Sequence, residues 1–229
     1  MFILNPRPPD PDPGLLEALN RVSPSTLGHM TDFGFMRGLT TLTRPLKLVG
    51  PAVTVRIPHL DSTAVHYVLD LVKPGDVVVV DQSGDDDRAC WGGGVSYAAV
   101  KRGVAGAVVQ GAVTDVEEIL ELRFPIFYRS ISPLTTRILG LEGAINVPVV
   151  VGGVVVRPGD LIFADENGIA VLNPEDAELY APILAEKEAA EPGTKARLDA
   201  GESLAAISGA RALFERDRAG FTSKGNSNG

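Results

Sequence analysis

The 229-residue chain lacks the residues that mark several classes of protein. Cys90 is its only cysteine, so neither an intrachain disulfide framework nor a cysteine-ligated zinc cluster can form, which favours a reducing compartment and a cytoplasmic location. No run of about 18 apolar residues occurs, and residues 1–12 have neither a charged start nor a long apolar core. We therefore expect no contact with a membrane and no signal peptide.

Positive charge is also scarce. The formal net charge is −8, and no basic cluster is longer than Lys101-Arg102. Binding to nucleic-acid phosphates depends on many Lys and Arg contacts that release counterions. We therefore expect no direct nucleic-acid partner.

Apolar residues make up 45% of the chain and charged residues 22%, which is enough apolar material for one compact core. The positions of proline and glycine residues predict boundaries that divide the chain into four segments. We expect a tether and short helix over residues 1–24, the main domain over 25–173, helices over 174–218 and a disordered tail over 219–229.

The centre of the chain predicts a strand–helix–strand unit. Residues 77–80 and 107–109 are apolar runs of the kind found in fully buried strands. Between them the run Trp91-Gly-Gly-Gly leads into a helix that Gly103 ends. Thr114 and Asp115 follow the second strand. Because strand ends beside a helix N-terminus form the usual ligand crevice of α/β sheets, any chemistry is expected here.

The remaining pattern predicts helices at residues 15–22, 25–34, 61–72 and 116–122 and strands at 48–57 and 125–128. Four short apolar runs separated by glycine turns predict an antiparallel meander with strands at 147–151, 154–156, 161–164 and 169–172. From Pro174 the chain is predicted to be helical, with a break at Pro192-Gly193.

Seven stretches of the chain form one pattern across residues 25–190: residues 50–56, 74–81, 91–92, 102–108, 111–115, 124–127 and 152–168. In order and spacing they resemble the family of 4-hydroxy-4-methyl-2-oxoglutarate aldolases, which includes the RraA-type regulators of ribonuclease E.

The resemblance implies a fold, an assembly and a reaction. The fold is α/β, a three-layer β/β/α swivelling-type domain of the RraA-like kind, here with helical N- and C-terminal extensions. The assembly is a homo-oligomer, a trimer or hexamer with the active site at the subunit interface. The reaction is the divalent-metal-dependent cleavage of a small 2-oxo acid to pyruvate, with oxaloacetate decarboxylation as a side activity.

This chemistry has clear requirements. Cleaving a carbon bond next to a 2-keto acid leaves a pyruvate enolate, whose charge Mg²⁺ or Mn²⁺ at the ketone oxygen can stabilise. Such hard cations take one or two protein carboxylates and fill their other positions with water and substrate.

The resemblance also assigns site residues. It makes Asp115 the metal ligand and a catalytic residue, and places Thr114 at the catalytic and substrate-binding position that the aldolases fill with arginine. It also implies that the backbone N–H groups of a glycine motif bind the substrate. Arg129 falls on a basic position common in the family and is a further substrate-binding candidate. The motif residues are Gly92, Gly93, Gly94 and Val95.

Two of these positions depart from the family pattern. With Thr114 the chain lacks a guanidinium fork that could hold a carboxylate bidentately. With Gly93 it lacks an acidic residue of the metal shell. The run 85–87 is either a solvated loop or the source of the missing carboxylate through Asp86 or Asp87, and Arg88 or Arg129 could bind the anion.

Alternatives remain open at each position. Asp115 could cap the helix at 116–122, with Glu118 completing a capping box, and the glycine run could be only a turn. Two functions remain, a metal-dependent lyase of altered specificity and a catalytically silent binding or regulatory protein on the same scaffold. A methyltransferase is disfavoured because no glycine-rich cofactor loop follows an early strand.

Overall fold

The computed structural model of the protein describes residues 1–216, and thirteen strands and seven helices lie wholly within them. The strands are β1 (Phe2–Leu4), β2 (Phe35–Met36), β3 (Thr40–Thr41), β4 (Lys47–Arg56), β5 (Val77–Asp81), β6 (Ala89–Trp91), β7 (Gly106–Val113), β8 (Ile126–Ile131), β9 (Gly143–Ile145), β10 (Val149–Val151), β11 (Val154–Val156), β12 (Leu161–Asp165) and β13 (Gly168–Leu172). The helices are α1 (Pro13–Asn20), α2 (Pro24–Gly28), α3 (Thr63–Val68), α4 (Gly93–Lys101), α5 (Val116–Glu121), α6 (Pro174–Asp199) and α7 (Leu204–Ile207).

The long strand β4 joins the two halves of one curled sheet. Its first half, residues 47–51, pairs antiparallel with β12, and its second half, residues 52–56, pairs parallel with β5. The strand order is β2-β13-β12-β4-β5-β7-β8-β3. The predicted strand–helix–strand unit is confirmed, because β5 and β7 are parallel neighbours joined through α4.

The parallel half of the sheet is buried on both faces. Val78 and Val80 pack towards helices α3 to α5, whereas Val77 and Val79 pack into the curl of the sheet against the antiparallel strands. All four side chains are fully buried. Double-sided burial explains why β5 is an unbroken apolar run rather than an alternating one. The predicted three-layer β/β/α architecture is thus confirmed.

A third apolar cluster lies on the outer face of β12 and β13. Leu19 of α1, Leu27 of α2 and Leu184 of α6 pack there around Phe163. Helices α1 and α6 lie in the predicted N- and C-terminal extensions, whereas α2 falls in the predicted main domain. The compact unit Met1–Ala185 contains α1, α2, the sheet and the start of α6, and a second unit begins at Glu186.

The N-terminal segment is bound to the sheet. Strand β1 pairs parallel with β9, and the Arg7 guanidinium donates two hydrogen bonds of 2.6 Å to the Asp76 carboxylate. The Asp76 side chain is only 1% exposed, so Arg7 supplies the countercharge that its burial requires. The sequence pattern gave no signal for β1.

The predicted meander is wrong as a single sheet. The four strands form, but β10 and β11 make a separate two-stranded sheet, and the β12–β13 hairpin joins β4 instead. The turn between β11 and β12 explains the change of partner. There Gly159 donates its N–H to the Ala52 carbonyl, and Ala52 donates its own to the Asp160 carbonyl, so the chain is tied to β4.

Two helix predictions are also wrong in extent. Helix α6 continues through Pro192-Gly193, where the chain is exposed, so water can replace the hydrogen bond that proline cannot donate. Helix α2 ends at Gly28 instead of near Gly34. The tail predicted at 219–229 lies outside the described residues. None of the helices described over residues 1–216 is long and apolar enough to cross a membrane.

Candidate active site at the ends of β6 and β7

Strand β6 brings the glycine motif beside Thr114 and Asp115. It pairs parallel with β7 so that Trp91 lies opposite Val113, and the Thr114 N–H donates to the Trp91 carbonyl at 3.0 Å. The residues that follow each strand therefore leave the sheet side by side. The predicted meeting of these two segments is confirmed. Strand β6 itself was missed, because a three-residue apolar run is too short a signal.

Buried side chains hold this junction rigid. The Trp91 ring is fully buried and stacks on Phe124, with 5.9 Å between ring centroids and 9° between planes. Its Nε1 donates to Ser96 Oγ at 2.9 Å, and Ser96 Oγ donates to the Gly92 carbonyl at 2.9 Å. The start of α4 is thus fixed by groups that are shielded from water.

Cys90 precedes Trp91 and is buried with it. Burial raises the pKa of the thiol to about 12, which favours the protonated sulfur at neutral pH. A buried, protonated thiol is typical of a structural cysteine rather than a nucleophile.

Asp115 turns its carboxylate away from its own helix. The residue occupies the N-cap position of α5 with φ 54° and ψ 46°, a left-handed conformation that is unusual for a side-chain-bearing residue. No side-chain hydrogen bond caps α5. Instead Asp115 Oδ2 accepts the Gly93 N–H at 3.0 Å, at the start of α4. The alternative in which Asp115 and Glu118 form a capping box on α5 is therefore wrong.

The two glycines nearest Asp115 are required by close contacts. We call Gly92 and Gly93 the glycine cradle. A Cβ added to Gly92 would lie 2.5 Å from Asp115 Oδ2 and 2.9 Å from Thr114 Cγ2. A Cβ added to Gly93 would overlap the Glu118 carboxylate. The backbone of the cradle thus faces the carboxylates of Asp115 and Glu118 with no side chain between them.

The first turn of α4 also offers donors. N–H groups in the first turn of a helix have no carbonyl four residues earlier in the helix to which they could donate. The N–H groups of Gly94 and Val95 are in this position, so they are available to a ligand. The positive end of the helix dipole adds to their attraction for an anion. Next to them, the half-buried Thr114 carries only a hydroxyl, 3.5 Å from Asp115 Oδ1.

Arg129 does not join these residues within one chain. Its guanidinium donates to the Gly38 carbonyl at 3.1 Å and lies 3.6 Å from the Asp86 carboxylate. Tyr128 packs in the core on the helix side of the sheet and Phe127 in the core on the other side. Because side chains alternate along a strand, Arg129 projects from the face opposite α4 and α5.

The acidic loop before β6 is occupied with its own contacts. The Asp85 carboxylate accepts the N–H groups of Asp87 and Arg88 and pairs with the Arg88 guanidinium at 3.1 Å. Burial alone would raise the pKa of Asp85, but these hydrogen bonds outweigh it and lower the pKa. Asp86 faces Arg129. These contacts do not direct the loop towards the glycine cradle.

The donors at the cradle fit a hard cation. Within residues 1–216 there is no group of three or more His, Cys, Asp or Glu side chains that could hold a metal ion. The cradle instead presents the carboxylates of Asp115 and Glu118, and both residues are exposed. One or two carboxylates with open positions for water and substrate suit Mg²⁺ or Mn²⁺.

The glycine cradle and Asp115 lie at the ends of parallel strands of a curled β/β/α domain, where α/β proteins commonly bind ligands. Residues 17–171 match the family described as RraA-like, Aldolase/RraA, and the chain belongs to that family.

Individual relatives carry names from both branches of the family. A protein of Halalkalibacterium halodurans with the provisional name 4-hydroxy-4-methyl-2-oxoglutarate aldolase is 40% identical over 167 residues, which are 70% of this chain and 79% of that protein. The crystal structure of Streptomyces coelicolor RraAS2, an unusual member of the RNase ES inhibitor RraA family, matches with a TM-score of 0.74 and 31% identity over 82% of this chain and 99% of that one. The RNA-processing inhibitor RraA of Thermus matches with a TM-score of 0.58 and 30% identity over 65% and 90%.

Proposed function

We propose that the protein is a divalent-metal-dependent lyase that cleaves a small 2-oxo acid and releases pyruvate. One observation carries the proposal. The Asp115 carboxylate lies at the glycine cradle, beside the N–H groups at the start of α4 that have no partner within the helix. One place therefore offers a ligand for a cation and hydrogen-bond donors for an anion. The names of the aldolase relatives support the same chemistry.

Each residue has a defined task in this proposal. Asp115 holds Mg²⁺ or Mn²⁺, and the Gly93 N–H orients its carboxylate. When bound, the cation stabilises the negative charge that develops on the ketone oxygen as the carbon–carbon bond breaks. The N–H groups of Gly94 and Val95 bind the substrate carboxylate. Thr114 offers a hydroxyl where an arginine would hold the ketoacid more tightly.

We also propose that the protein works as a homo-oligomer, a trimer or hexamer, in which a second copy completes the site. Asp115 and Glu118 are exposed in the single chain, so the cradle is open on one side. Closing that side would exclude water and strengthen the electrostatic contacts of the site.

The test is pyruvate release by the purified full-length protein. It is incubated with Mn²⁺ or Mg²⁺ and either oxaloacetate or 4-hydroxy-4-methyl-2-oxoglutarate, and pyruvate is followed through a coupled dehydrogenase. We expect turnover above the rate of the free metal, abolished by EDTA and by Asp115→Asn. Turnover no faster than metal alone for both substrates would contradict the lyase.

A second candidate is a catalytically silent regulatory protein. Thr114 favours it, because the missing guanidinium removes the strongest available substrate contact. The resemblance to structures named as RraA inhibitors also favours it. This function predicts no turnover of any 2-oxo acid, even by protein shown to bind Mn²⁺.

A further inference from the structure

Gly93 and Glu118 are matched to each other across the site. The Glu118 carboxylate occupies the space directly over Gly93, where the first atom of any side chain at position 93 would stand, and its Cγ lies 2.9 Å from that point. With glycine at position 93 the carboxylate has room to lie there, whereas a side chain at this position would push it aside. The sequence pattern predicts Glu118 only as part of a helix cap.

Glu118 and Asp115 converge on the same glycine. Asp115 is the N-cap of α5 and Glu118 lies in its first turn, so both residues are held at the same end of the helix. Asp115 Oδ2 is 3.0 Å from the Gly93 nitrogen, while the Glu118 carboxylate covers the Cβ position of the same residue. Standard backbone geometry then limits the separation of the two carboxylates to about 8 Å. A hydrated cation bound directly to Asp115 can reach the Glu118 carboxylate through one of its own waters.

Charge leads to the same conclusion. Neither carboxylate forms an ion pair with a lysine, arginine or histidine of residues 1–216. Their oxygens are therefore not committed to a protein cation and are available as ligands for a divalent cation.

From this geometry we propose that Glu118 is the second carboxylate of the cation site and that Gly93 is glycine in order to admit it. The inference rests on the proposed metal-dependent function and adds to it the residue that completes the protein's share of the ligands. Glu118 thereby sets the affinity for the cation together with Asp115.

The first experiment measures Mn²⁺ affinity by isothermal titration calorimetry on the full-length, metal-free protein. Glu118→Gln should raise the dissociation constant about tenfold or more, the usual effect of losing a supporting group at a metal site. Glu117→Gln is the matched control, because Glu117 is exposed, adjacent and of equal charge. It should bind Mn²⁺ like the wild type.

The second experiment moves the carboxylate without removing it. Gly93→Ala forces the Glu118 side chain aside and should weaken Mn²⁺ binding to a similar degree. Gly193→Ala on α6, whose Cβ would likewise meet nothing within 4 Å, is the glycine-to-alanine control and should leave the Mn²⁺ affinity unchanged. The double variant Gly93→Asp/Glu118→Ala returns a carboxylate to the same space from the other side and should recover most of the affinity.

Circular dichroism and thermal unfolding without metal establish that each variant is folded. If Glu118→Gln and Gly93→Ala bind Mn²⁺ as tightly as wild type while Asp115→Asn does not, the role of Glu118 is overturned and the proposed function stands. If the wild type itself binds no Mn²⁺, the metal-dependent function fails and the role of Glu118 fails with it.

Discussion

At the scale of single residues, Asp115 carries most of the proposed chemistry. Asp115→Asn should raise the Mn²⁺ dissociation constant more than tenfold, because asparagine lacks the charge that a hard cation needs. The fold should be unaffected. Asparagine tolerates the left-handed backbone of this position and can still accept the Gly93 N–H through its carbonyl.

The measurements are calorimetric Mn²⁺ titration and thermal unfolding without metal. Asp87→Asn serves as the control, since Asp87 is an exposed aspartate of the loop before β6. Equal Mn²⁺ affinity in wild type and Asp115→Asn would remove Asp115 from the metal site.

Thr114 decides how strongly the substrate is held. Thr114→Arg should raise oxaloacetate decarboxylase or pyruvate-aldol activity, because a guanidinium adds a charge-assisted hydrogen bond to the ketoacid. Such a contact contributes about 1.5 to 3 kcal/mol, or roughly tenfold to a hundredfold in rate. Thr114 is half-buried at the edge of the cradle, so a longer side chain can extend outwards.

The comparison variant is Thr114→Gln, which is long and polar but uncharged and should gain little. Steady-state pyruvate release measures all three proteins. A fall in the rate of a substrate that the wild type already turns over well would instead make Thr114 a determinant of substrate choice.

At the scale of elements, the buried Asp61 fastens helix α3 to the segment before β9. Its carboxylate accepts the N–H groups of Thr63 at 2.9 Å, Leu139 at 3.1 Å and Leu141 at 2.6 Å. Burial alone would raise the pKa of Asp61, but these bonds and one from the Thr63 hydroxyl outweigh it and hold the pKa well below its ordinary value. One side chain thus orders two segments that are far apart in sequence.

Asp61→Asn should lower the free energy of unfolding by about 1 to 3 kcal/mol, because an amide nitrogen would face backbone donors. Asp70→Asn, at an exposed ion pair with Arg102, should change it by less than about 1 kcal/mol. Urea denaturation at one fixed protein concentration provides the comparison. Equal losses in both variants would contradict the special role of Asp61.

The same carboxylate predicts a dependence on pH. Its folded pKa is lowered, so its contribution is fully present above the unfolded value of about 3.9 and is lost as the pH falls through the folded pKa. The stability difference between wild type and Asp61→Asn should therefore be constant from pH 7 to pH 5. It should shrink steadily below about pH 4.

At the scale of the whole molecule, one apolar surface points to self-association. The end of β8 and the segment after it expose five apolar side chains, each by 44% to 56%: Ile131, Leu134, Ile138, Leu139 and Leu141. Next to it, β1 and α3 border an apolar cavity of about 240 Å³. Contiguous exposed apolar surface of this kind marks protein interfaces.

We expect a cyclic trimer, or a pair of trimers, in light scattering at micromolar concentration. Ile138→Asp should shift the distribution towards monomer, because a charge would have to be buried in the interface. Leu179→Asp on α6 is the control, since Leu179 is equally exposed but outside this surface. A monomeric wild type would contradict the prediction.

The sequence by itself determined the parallel half of the fold and pointed to the place of the candidate site. Unbroken β-branched runs such as 77–80 need cover on both faces, which only a central strand provides. The glycine run after Trp91 and the polar residues after β7 marked the strand ends, where backbone donors and carboxylates can meet a ligand. Family spacing added the identity of Asp115 as the candidate ligand.

Only the tertiary structure decided which groups meet. The pairing of β6 with β7, the choice of β4 as the partner of β12 and the position of Arg129 on the opposite face all depend on contacts between distant residues. Tertiary contacts also decide that the Asp115 carboxylate accepts a hydrogen bond from α4 rather than capping α5, which it precedes. They likewise place the Glu118 carboxylate next to Gly93. Sequence patterns report local periodicity and turn chemistry, whereas the direction of a side chain at a strand end is set by the neighbours that packing brings to it.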